Sequence, residues 1–319
     1  MYGAELHKRQ LMNAKREAPK ALGRALERCN RQLLALNKED WDAPDFHASD
    51  EVPASLLRSL EQLVGDTSAQ MASDPTFLPR HPTFMDFYFE VLQFLRVAQN
   101  WGEDYRFERH RERHPQSLKL VLNCLDPARL LGNAQARAHA VVGFSATLSP
   151  MGWSRAALGL AEDAVCAQSD SPFRAEQLKV TLAIHLDTRY RQRDITLPAL
   201  AARIGRWLEE TPGNCIVYFP SYRYMQDALA LLADDGRRHR WQQEPELSEE
   251  ARAELLALFE QRDDVAAFCI LGGIFGEGID LPGEALRSVV VVGVGMPQVN
   301  RDTRQLQAYF DARTGSGFD

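Results

Sequence analysis

Residues 271 to 283 read Leu-Gly-Gly-Ile-Phe-Gly-Glu-Gly-Ile-Asp-Leu-Pro-Gly, and this glycine-rich stretch follows the apolar run 265–270. The apolar run is typical of a buried strand, and the glycines predict a loop at its end. Glycines let a backbone approach a phosphate or a neighbouring chain closely. Glu277 and Asp280 add two carboxylates, which suit a hydroxyl, a cation or a moving arginine better than a phosphate. The stretch therefore predicts a coupling loop and not a simple phosphate cradle.

Short apolar runs alternate with helical patterns through the second half of the chain. The predicted strands are 179–186, 214–219, 265–271 and 288–294, and the predicted helices are 197–210, 222–233, 249–261 and 303–311. Ser221 and Ser248 are predicted N-caps. Such alternation predicts a parallel sheet with helices on both faces, in which ligands bind at the carboxyl ends of the strands.

The first 114 residues carry a helical pattern instead. Apolar residues recur at helical spacing in two stripes, one from Leu22 to Leu34 and one from Phe84 to Leu95. Strand patterns follow at 118–125 and 141–145. The polar stretch 167–172 is the predicted domain boundary.

The bulk composition limits the class of protein. The chain has 319 residues, of which 45% are hydrophobic and 25% charged, as in soluble globular proteins with room for two domains. The net charge of -7 argues against a histone-like basic binder. A nucleic acid held in one local groove remains compatible with it, because only the charge of the groove matters there.

The cysteines and the first residues bear on the cellular setting. The five cysteines lie far apart without a C-x-x-C spacing, so the sequence predicts no metal site from them. Cys124, Cys215 and Cys269 lie in apolar runs and are predicted to be small buried hydrophobes. The odd cysteine count and the lack of an apolar segment near Met1 predict a reducing, cytoplasmic setting.

Two further segments combine a short apolar run with hydroxyl residues at its end. Residues 141 to 150 read Val-Val-Gly-Phe-Ser-Ala-Thr-Leu-Ser-Pro, and residues 214 to 222 read Asn-Cys-Ile-Val-Tyr-Phe-Pro-Ser-Tyr. In this order, these two segments and the glycine loop resemble motifs III, IV and V of superfamily 2 helicases. More narrowly, they resemble the XPD/DinG group of ATP-dependent DNA helicases, and the resemblance covers essentially the whole chain.

The resemblance implies an α/β fold, with a RecA-like parallel sheet and flanking helices after an all-helical Arch-like insertion. It assigns residues 1–114 to the Arch-like region and 115–170 to the C-terminal tail of the first RecA-like domain. Residues 171–319 would be the second RecA-like domain, truncated before motif VI. The missing first RecA-like half of the polypeptide would carry the P-loop, the acidic box and an iron–sulphur cluster.

The resemblance also implies residues that couple the nucleotide to the nucleic acid. They are Ser145 and Thr147 of motif III and Glu277, Gly278 and Asp280 of motif V. Asp280 would accept from a ribose hydroxyl or orient an arginine of motif VI, and Glu277 would relay DNA contact. Taken singly, the same residues also fit a strand-to-turn cap and a solvated glycine turn.

The predicted nucleic-acid contacts are Ser221 and Tyr222 of motif IV with Tyr190, Arg191 and Arg193. A serine hydroxyl and helix N-terminal amides suit a backbone phosphate. Tyr190 would stack on a base while the arginines contact phosphates. A helix cap for the first pair and a charged surface loop for the others are the alternatives.

A run of cations lies along the first predicted helices. It contains Lys8, Arg9, Lys15, Arg16, Lys20, Arg24, Arg28 and Arg31. The run fits a solvated helix face, and it also fits a surface that flanks the passage of a strand. His110 lies among arginines, which disfavour a metal, so it is predicted to be a surface residue.

The resemblance implies ATP and Mg²⁺ as cofactors of the intact protein and single-stranded DNA as its partner, with 5′-to-3′ movement and duplex unwinding. A phosphate cradle of the usual kind needs a Gly-Lys pair, and this chain has none. We therefore expect the chain alone to be inactive. A non-catalytic DNA-binding or regulatory subunit is the alternative, and an unrelated α/β enzyme with another nucleotide is a third hypothesis.

Overall fold

The computed structural model of the protein describes residues 2–39, 41, 43–111, 117–233, 236–246, 248–276, 278–295 and 299–315. The chain divides into two units, Met1–Asp170 and Ser171–Asp319. The division falls within the polar stretch 167–172. In the described ranges, no helix is both long and apolar enough to cross a membrane.

The first unit contains an antiparallel four-stranded sheet in the order β1-β4-β3-β2. The strands are β1 (Ala4–His7), β2 (Phe46–Ser49), β3 (Tyr105–Arg111) and β4 (Leu118–Cys124). β3 pairs with β4 along its entire length. Leu118, Leu120 and Leu122 of β4 are buried, which is the alternation of a sheet with one face on a core.

Helices before and between these strands supply the rest of that core. They are α1 (Lys8–Glu17), α2 (Lys20–Lys38), α3 (Ala54–Ser73), α4 (Phe77–Arg80) and α5 (Pro82–Ala98). The two apolar stripes predicted from the sequence, except Leu34, lie in or against one hydrophobic cluster, together with residues of β1, β3 and β4. The helices are therefore held mainly by a shared amphipathic face.

The helical character predicted for residues 1–114 is confirmed, but the region is not all-helical, because β1, β2 and β3 lie within it. β1 and β2 have four residues each, too few for an alternating pattern to emerge. β3 reads Tyr-Arg-Phe-Glu-Arg-His-Arg, which is typical of a solvated segment. Glu108 and Arg109 are nevertheless buried, because Glu108 accepts from Asn123 Nδ2 at 2.7 Å and Arg109 donates to the carbonyl of Leu36 at 3.3 Å.

The rest of the first unit contains two short helices, α6 (Ala128–Gln135) and α7 (Met151–Ala157). The strand predicted at 141–145 is wrong, since these residues are irregular and Val142 and Phe144 are 83% and 90% exposed. A strand is stable only when its backbone groups pair with a neighbour, and the described residues offer none here. Because β4 shares a sheet and a core with β1 and β3, the assignment of 1–114 and 115–170 to two family regions stays a prediction.

The second unit is built on a parallel four-stranded sheet in the order β6-β7-β5-β8. The strands are β5 (Cys215–Phe219), β6 (His239–Gln242), β7 (Val265–Ile270) and β8 (Ser288–Val291). The helices are α8 (Arg193–Glu210), α9 (Tyr222–Leu231), α10 (Glu249–Gln261) and α11 (Arg301–Thr314). The predicted parallel sheet is thus confirmed, and the four predicted helices differ from the observed ones only at their ends.

β5 is buried along its whole length and separates two clusters of the core. Cys215, Val217 and Phe219 pack with α8 and α9, whereas Ile216 and Tyr218 pack with α10. Helices therefore cover both faces of the sheet, as predicted. A parallel strand covered on both faces has a continuous apolar sequence, which explains why the pattern identified it.

Two features of this sheet differ from the prediction. Residues 179–186 are irregular and not a strand, and their alternating Val180, Leu182 and Ile184 are exposed. An alternating sequence shows which face would be buried but not whether a partner strand is in place. β6 was missed because Trp241 is the one large apolar residue among its four.

All five cysteines are free thiols. Cys215 and Cys269 are buried in the parallel sheet, as predicted, and burial raises their pKa to about 11 and about 12. Cys124 is only half-buried, and burial again raises its pKa. These three thiols are held in the neutral form at physiological pH and act as small hydrophobes.

Asn214 precedes β5 and fixes three neighbouring segments through its fully buried side chain. Its Nδ2 lies 2.9, 2.6 and 3.0 Å from the carbonyl oxygens of Phe259, Arg262 and Ala285. Its Oδ1 accepts from the amide of Val265 at 2.8 Å. The side-chain amide of Asn214 thus connects the start of β5 to the start of β7 and to the end of α10.

We expect Asn214→Ala to lower the free energy of unfolding by about 2–4 kcal/mol, because it leaves several buried polar groups without a partner. Asn133→Ala, at an exposed position of α6, is the matched control and should change stability by less than about 0.5 kcal/mol. Urea unfolding followed by circular dichroism measures both. Equal midpoints for the two variants would contradict the role of Asn214.

Candidate functional site

The carboxyl ends of β5, β6 and β7 meet at one edge of the parallel sheet. Residues 220–222 follow β5, Gln243 follows β6, and the glycine loop, residues 271–283, follows β7. The amide of Leu271 donates to the carbonyl of Phe219 at 2.8 Å, so β5 and β7 end at the same level. This edge is where parallel α/β sheets bind ligands.

The first part of the glycine loop is tightly turned and anchored in the core. The amide of Gly273 donates to Ile270 O at 3.0 Å, and that of Gly276 donates to Gly273 O at 2.8 Å. Phe275 is buried, and its ring packs edge-on to Trp241 at a centroid distance of 5.5 Å. The loop is therefore held by its own turns and by one buried aromatic residue.

Tyr218 of β5 adds a hydrogen bond to this anchor. Its hydroxyl donates to the carbonyl of Phe275 at 2.6 Å. Burial raises the pKa of Tyr218 to about 12, so the hydroxyl stays protonated and keeps donating at physiological pH. The central strand thus holds the loop directly.

Gln243 joins the glycine loop to the segment after β5. Its Oε1 accepts from the amide of Ile270 at 2.9 Å, and its Nε2 donates to the hydroxyl of Tyr222 at 3.1 Å. The side chain is only 4% exposed. At Gly273, an added Cβ would lie 3.2 Å from Gln243 Nε2 and 2.9 Å from Ile270 O, so a side chain there would collide with this bridge.

The second part of the loop carries the predicted coupling residues. Gly278 has a φ of +71°, which strains any other residue, and its carbonyl accepts from Arg252 Nη2 at 3.1 Å. Asp280 is exposed. Glu277 lies outside the described residues. The loop is followed by β8 and not by a helix, which is unlike a dinucleotide-binding glycine turn.

Ser221 and Tyr222 lie at the N-terminus of α9. Ser221 caps the helix, and its Oγ accepts from the amide of Tyr224 at 3.4 Å; Ser248 caps α10 in the same way, and both caps were predicted. The Tyr222 hydroxyl donates to the carbonyl of Glu244 at 3.2 Å. The cap and the proposed phosphate contact are compatible, because the first amides of a helix favour an anion.

Arg193 lies beside the first turn of α9, and Tyr190 lies next to Arg193. The guanidinium of Arg193 is 4.7 Å from the ring centre of Tyr224 and 5.7 Å from that of Tyr190, and Nε donates to the carbonyl of Thr188 at 3.1 Å. Tyr190 is 82% exposed, and Arg191 is exposed as well. The structure therefore places Arg193 between the rings of Tyr190 and Tyr224, and Tyr224 belongs to the helix that Ser221 caps.

Ser145 and Thr147 belong to the first unit. Their hydroxyl oxygens are 3.3 Å apart, and the amide of Thr147 donates to Ser145 Oγ at 3.2 Å. Both are exposed, in the arrangement of a local turn. Their approach to the loops of the second unit stays a prediction.

Neither a three-residue metal cluster nor a Gly-Lys phosphate cradle is found for the implied Mg²⁺ and ATP in the part of the chain that the structure describes. Among the described residues, no group of three His, Cys, Asp or Glu side chains is arranged to hold a metal ion. The chain also lacks the Gly-Lys pair of a phosphate cradle. We therefore derive no hydrolytic step from these residues.

Three residues of the site were missed by the sequence analysis: Tyr218, Gln243 and Arg252. Tyr218 was counted as part of an apolar strand, and Gln243 follows a strand that the pattern did not detect. Arg252 lies in the predicted helix 249–261 and was not singled out. The one available signal for Gln243 was its position directly after a strand, and that signal could be used only if β6 had been predicted.

Residues 204–319 match the family model of the helicase C-terminal domain. The chain is 26% identical over 231 residues to the ATP-dependent DNA helicase CHL1 of Scheffersomyces stipitis, a match that covers 66% of this chain and 27% of that protein. It is 25% identical over 286 residues to the ATP-dependent DNA helicase DDX11 of Homo sapiens, covering 80% of this chain and 29% of that protein.

The fold is similar to that of a solved structure, S. tokodaii Xpd4. The TM-score is 0.51 at 15% sequence identity, and the match covers 98% of this chain and 60% of that chain. At this identity the likeness concerns the fold alone. The chain spans less than a third of the length of the two helicases that it matches in sequence.

A parallel sheet with helices on both faces, and loops gathered at the carboxyl ends of its strands, defines an α/β protein of the RecA-like class. The resemblance inferred from the three motifs is confirmed by the family match, the helicase relatives and the shared fold. Residues 204–319 thus match the helicase C-terminal domain, and the chain as a whole is similar to ATP-dependent DNA helicases and to the fold of an XPD protein.

We expect Gln243→Leu to expose the amide of Ile270, because the substitution removes its hydrogen-bond acceptor. Hydrogen exchange at that amide should accelerate roughly fivefold, as the loss of about 1 kcal/mol implies. Gln242→Leu, at the exposed neighbouring position, is the control and should leave this amide unchanged. Equal exchange in both variants, measured by NMR, would show that Gln243 does not hold the loop.

Proposed function

We propose that the chain is part of an ATP-dependent DNA helicase that couples ATP hydrolysis to 5′-to-3′ movement on single-stranded DNA and to duplex unwinding. The relatives CHL1 and DDX11 are ATP-dependent DNA helicases, which supports this activity for the longer protein. In this proposal the second unit supplies the loops that respond to both ligands. A cytoplasmic setting stays a prediction.

The observation that carries the proposal is the Gln243 bridge between two loops. Tyr222, on one side, belongs to the segment proposed to contact DNA. Ile270, on the other, is the last residue before the loop proposed to face the nucleotide. Each loop is attached to one end of a single buried amide, so a displacement of one changes the hydrogen bonding of the other.

The DNA contact is proposed for Ser221 at the start of α9, for Arg193 beside that helix, and for Tyr190 next to Arg193. An exposed tyrosine with a guanidinium beside it suits a stacked base and its phosphate. Helix N-terminal amides add donors for a second phosphate. Tyr222 and Arg191 would extend the contact on either side of these residues.

The nucleotide contact is proposed for Gly278 and Asp280, with Glu277, Ser145 and Thr147. Asp280 is exposed and able to accept from a hydroxyl or a guanidinium. The P-loop, the acidic box, Mg²⁺ and the iron–sulphur cluster would belong to parts of the longer protein outside this chain. The share of the relatives that the chain covers supports this division.

A non-catalytic DNA-binding or regulatory subunit is the second candidate function. The absence of a Gly-Lys pair from the chain favours it. The two candidates differ in the coding sequence beside this segment. An upstream P-loop and acidic box in the same reading frame favour the helicase, whereas an in-frame stop favours the subunit.

We expect the chain alone to release no phosphate from ATP above background, with or without single-stranded DNA. The reason is that it offers no phosphate cradle and no metal cluster in its described residues. A coupled phosphate assay measures this release. The Asp280→Ala variant is the control that distinguishes ATP hydrolysis by this chain from hydrolysis by a contaminating enzyme. DNA-stimulated release that Asp280→Ala abolishes would contradict the expectation.

We expect Tyr190→Ala to weaken binding of a labelled single-stranded oligonucleotide by about 5- to 100-fold, since one stacked base contributes about 1–3 kcal/mol. Fluorescence anisotropy at fixed salt measures the dissociation constant. Tyr190→Phe keeps the ring and should bind nearly as the unmodified chain does. Equal affinity of the Ala and Phe variants would refute the stacking role.

A further inference from the structure

A cleft in the first unit lies between the antiparallel helices α2 and α3 and has a volume of about 400 Å³. We call it the arginine cleft. Its lining includes Arg28, Arg31 and Gln32 from α2, and Ser55, Arg58 and Gln62 from α3. The lining residues recur three or four positions apart on each helix, so each helix presents one continuous polar face.

The cleft carries an excess of positive charge. Its lining contains three guanidinium groups and no carboxylate. Arg31 and Arg58 are exposed, and neither forms an ion pair within the described residues. Guanidinium groups so close together repel one another unless an anion joins them.

Nearby carboxylates neutralise this charge only in part. Asp66 accepts from Arg28 Nη2 at 3.0 Å, yet Arg28 Nε is buried and lacks a hydrogen-bond partner in the described part of the chain. A hydrogen bond from Lys15 lowers the pKa of the Glu27 carboxyl, with a smaller electrostatic contribution from Arg31. Glu27 is therefore mainly the partner of Lys15, and donors in the cleft remain unused.

The start of α3 adds to the positive potential. The helix has no acidic residue in its first turn, and its N-cap, Pro53, offers no side-chain hydrogen bond. The first turn of α3 therefore contains no carboxylate of its own to offset the partial positive charge of the helix N-terminus. Ser55 and Arg58 come from the first two turns, so they bring this end of the helix to the cleft.

We propose that the arginine cleft binds a phosphodiester group of a nucleic-acid strand. Guanidinium forks match two phosphate oxygens at once, and the hydroxyl and amide side chains offer further donors. The lining residues named above include no aromatic side chain, so the cleft offers no ring on which a base could stack. It therefore contacts the backbone without reading sequence.

This site adds to the contact proposed at Tyr190 and relies on the proposed function only for the class of ligand. The proposed site assigns a binding role to Arg28 and Arg31 of the cation run in α2, which would have no such role on a solvated helix face. The two proposed contacts fail independently, because Tyr190 belongs to the second unit and the cleft to the first.

The test compares two variants of the whole chain that remove the same charge. Arg31→Gln with Arg58→Gln changes the cleft, and Arg9→Gln with Arg16→Gln changes exposed positions of α1. A labelled oligothymidylate is titrated by fluorescence anisotropy over a range of salt concentrations. Circular dichroism establishes that each variant is folded.

We expect the cleft variant to weaken binding about tenfold and to reduce the slope of log K against log salt by roughly 0.7 for each phosphate that the cleft no longer neutralises. The α1 variant should change affinity by less than about twofold and leave the slope unchanged. Arg31→Lys with Arg58→Lys should keep most of the slope, because the charges remain. Equal losses of affinity in the cleft and α1 variants would overturn the proposal.

Competitors identify the ligand. An oligonucleotide with an uncharged methylphosphonate backbone should not depend on the cleft. Inorganic phosphate should compete only weakly, and polyglutamate should bind the unmodified chain and the cleft variant equally. Tight cleft-dependent binding of free phosphate or of polyglutamate would overturn the assignment to nucleic acid. If Tyr190→Ala has no effect while the cleft variant does, the contact at α9 fails and the cleft stands.

Discussion

Burial of β5 on both faces, with parallel pairing along both of its edges, determines where the functional loops lie. The strand bonds to β7 on one side and to β8 on the other, and its side chains alternate between the two clusters of the core. Parallel strands run in the same direction, so their carboxyl ends and the loops that follow them lie at one edge of the sheet. Asn214 aligns the first residues of β5 and β7, because its side chain accepts a hydrogen bond from the amide of Val265. At the opposite end of the two strands, the amide of Leu271 donates to the carbonyl of Phe219.

The conformation of the glycine loop depends on residues outside it. Tyr218 bonds the carbonyl of Phe275, Gln243 bonds the amide just before the loop, and Arg252 bonds the carbonyl of Gly278. These side chains come from β5, from the end of β6 and from α10. Glycines supply the permitted backbone angles, but three different elements select one arrangement. A change in any of these elements therefore reaches the loop through a short, specific bond.

The sequence predicted correctly those features that depend on residues close together in the chain. Ser221 caps its helix through a residue three positions away, and β5 is apolar throughout because it is covered on both faces. Gln243 could not be predicted, since its partners Tyr222 and Ile270 lie 21 and 27 positions away. Residues 141–145 and 179–186 were predicted as strands but are irregular. An apolar pattern indicates that a segment can form a strand, but a strand also needs a neighbouring strand to pair with, which the pattern does not show.

The net charge of -7 does not oppose nucleic-acid binding by either proposed contact. Charges in solution act over about 8–10 Å at physiological salt, so a phosphate in the arginine cleft interacts mainly with the residues that line it. The overall charge instead weakens long-range attraction of a polyanion and so slows association. Affinity must then arise from close hydrogen bonds and stacking. Such contacts form only after the strand has reached the protein. They need exposed side chains with polar or aromatic ends, such as Arg31, Arg58 and Tyr190, and they do not need a uniformly basic surface.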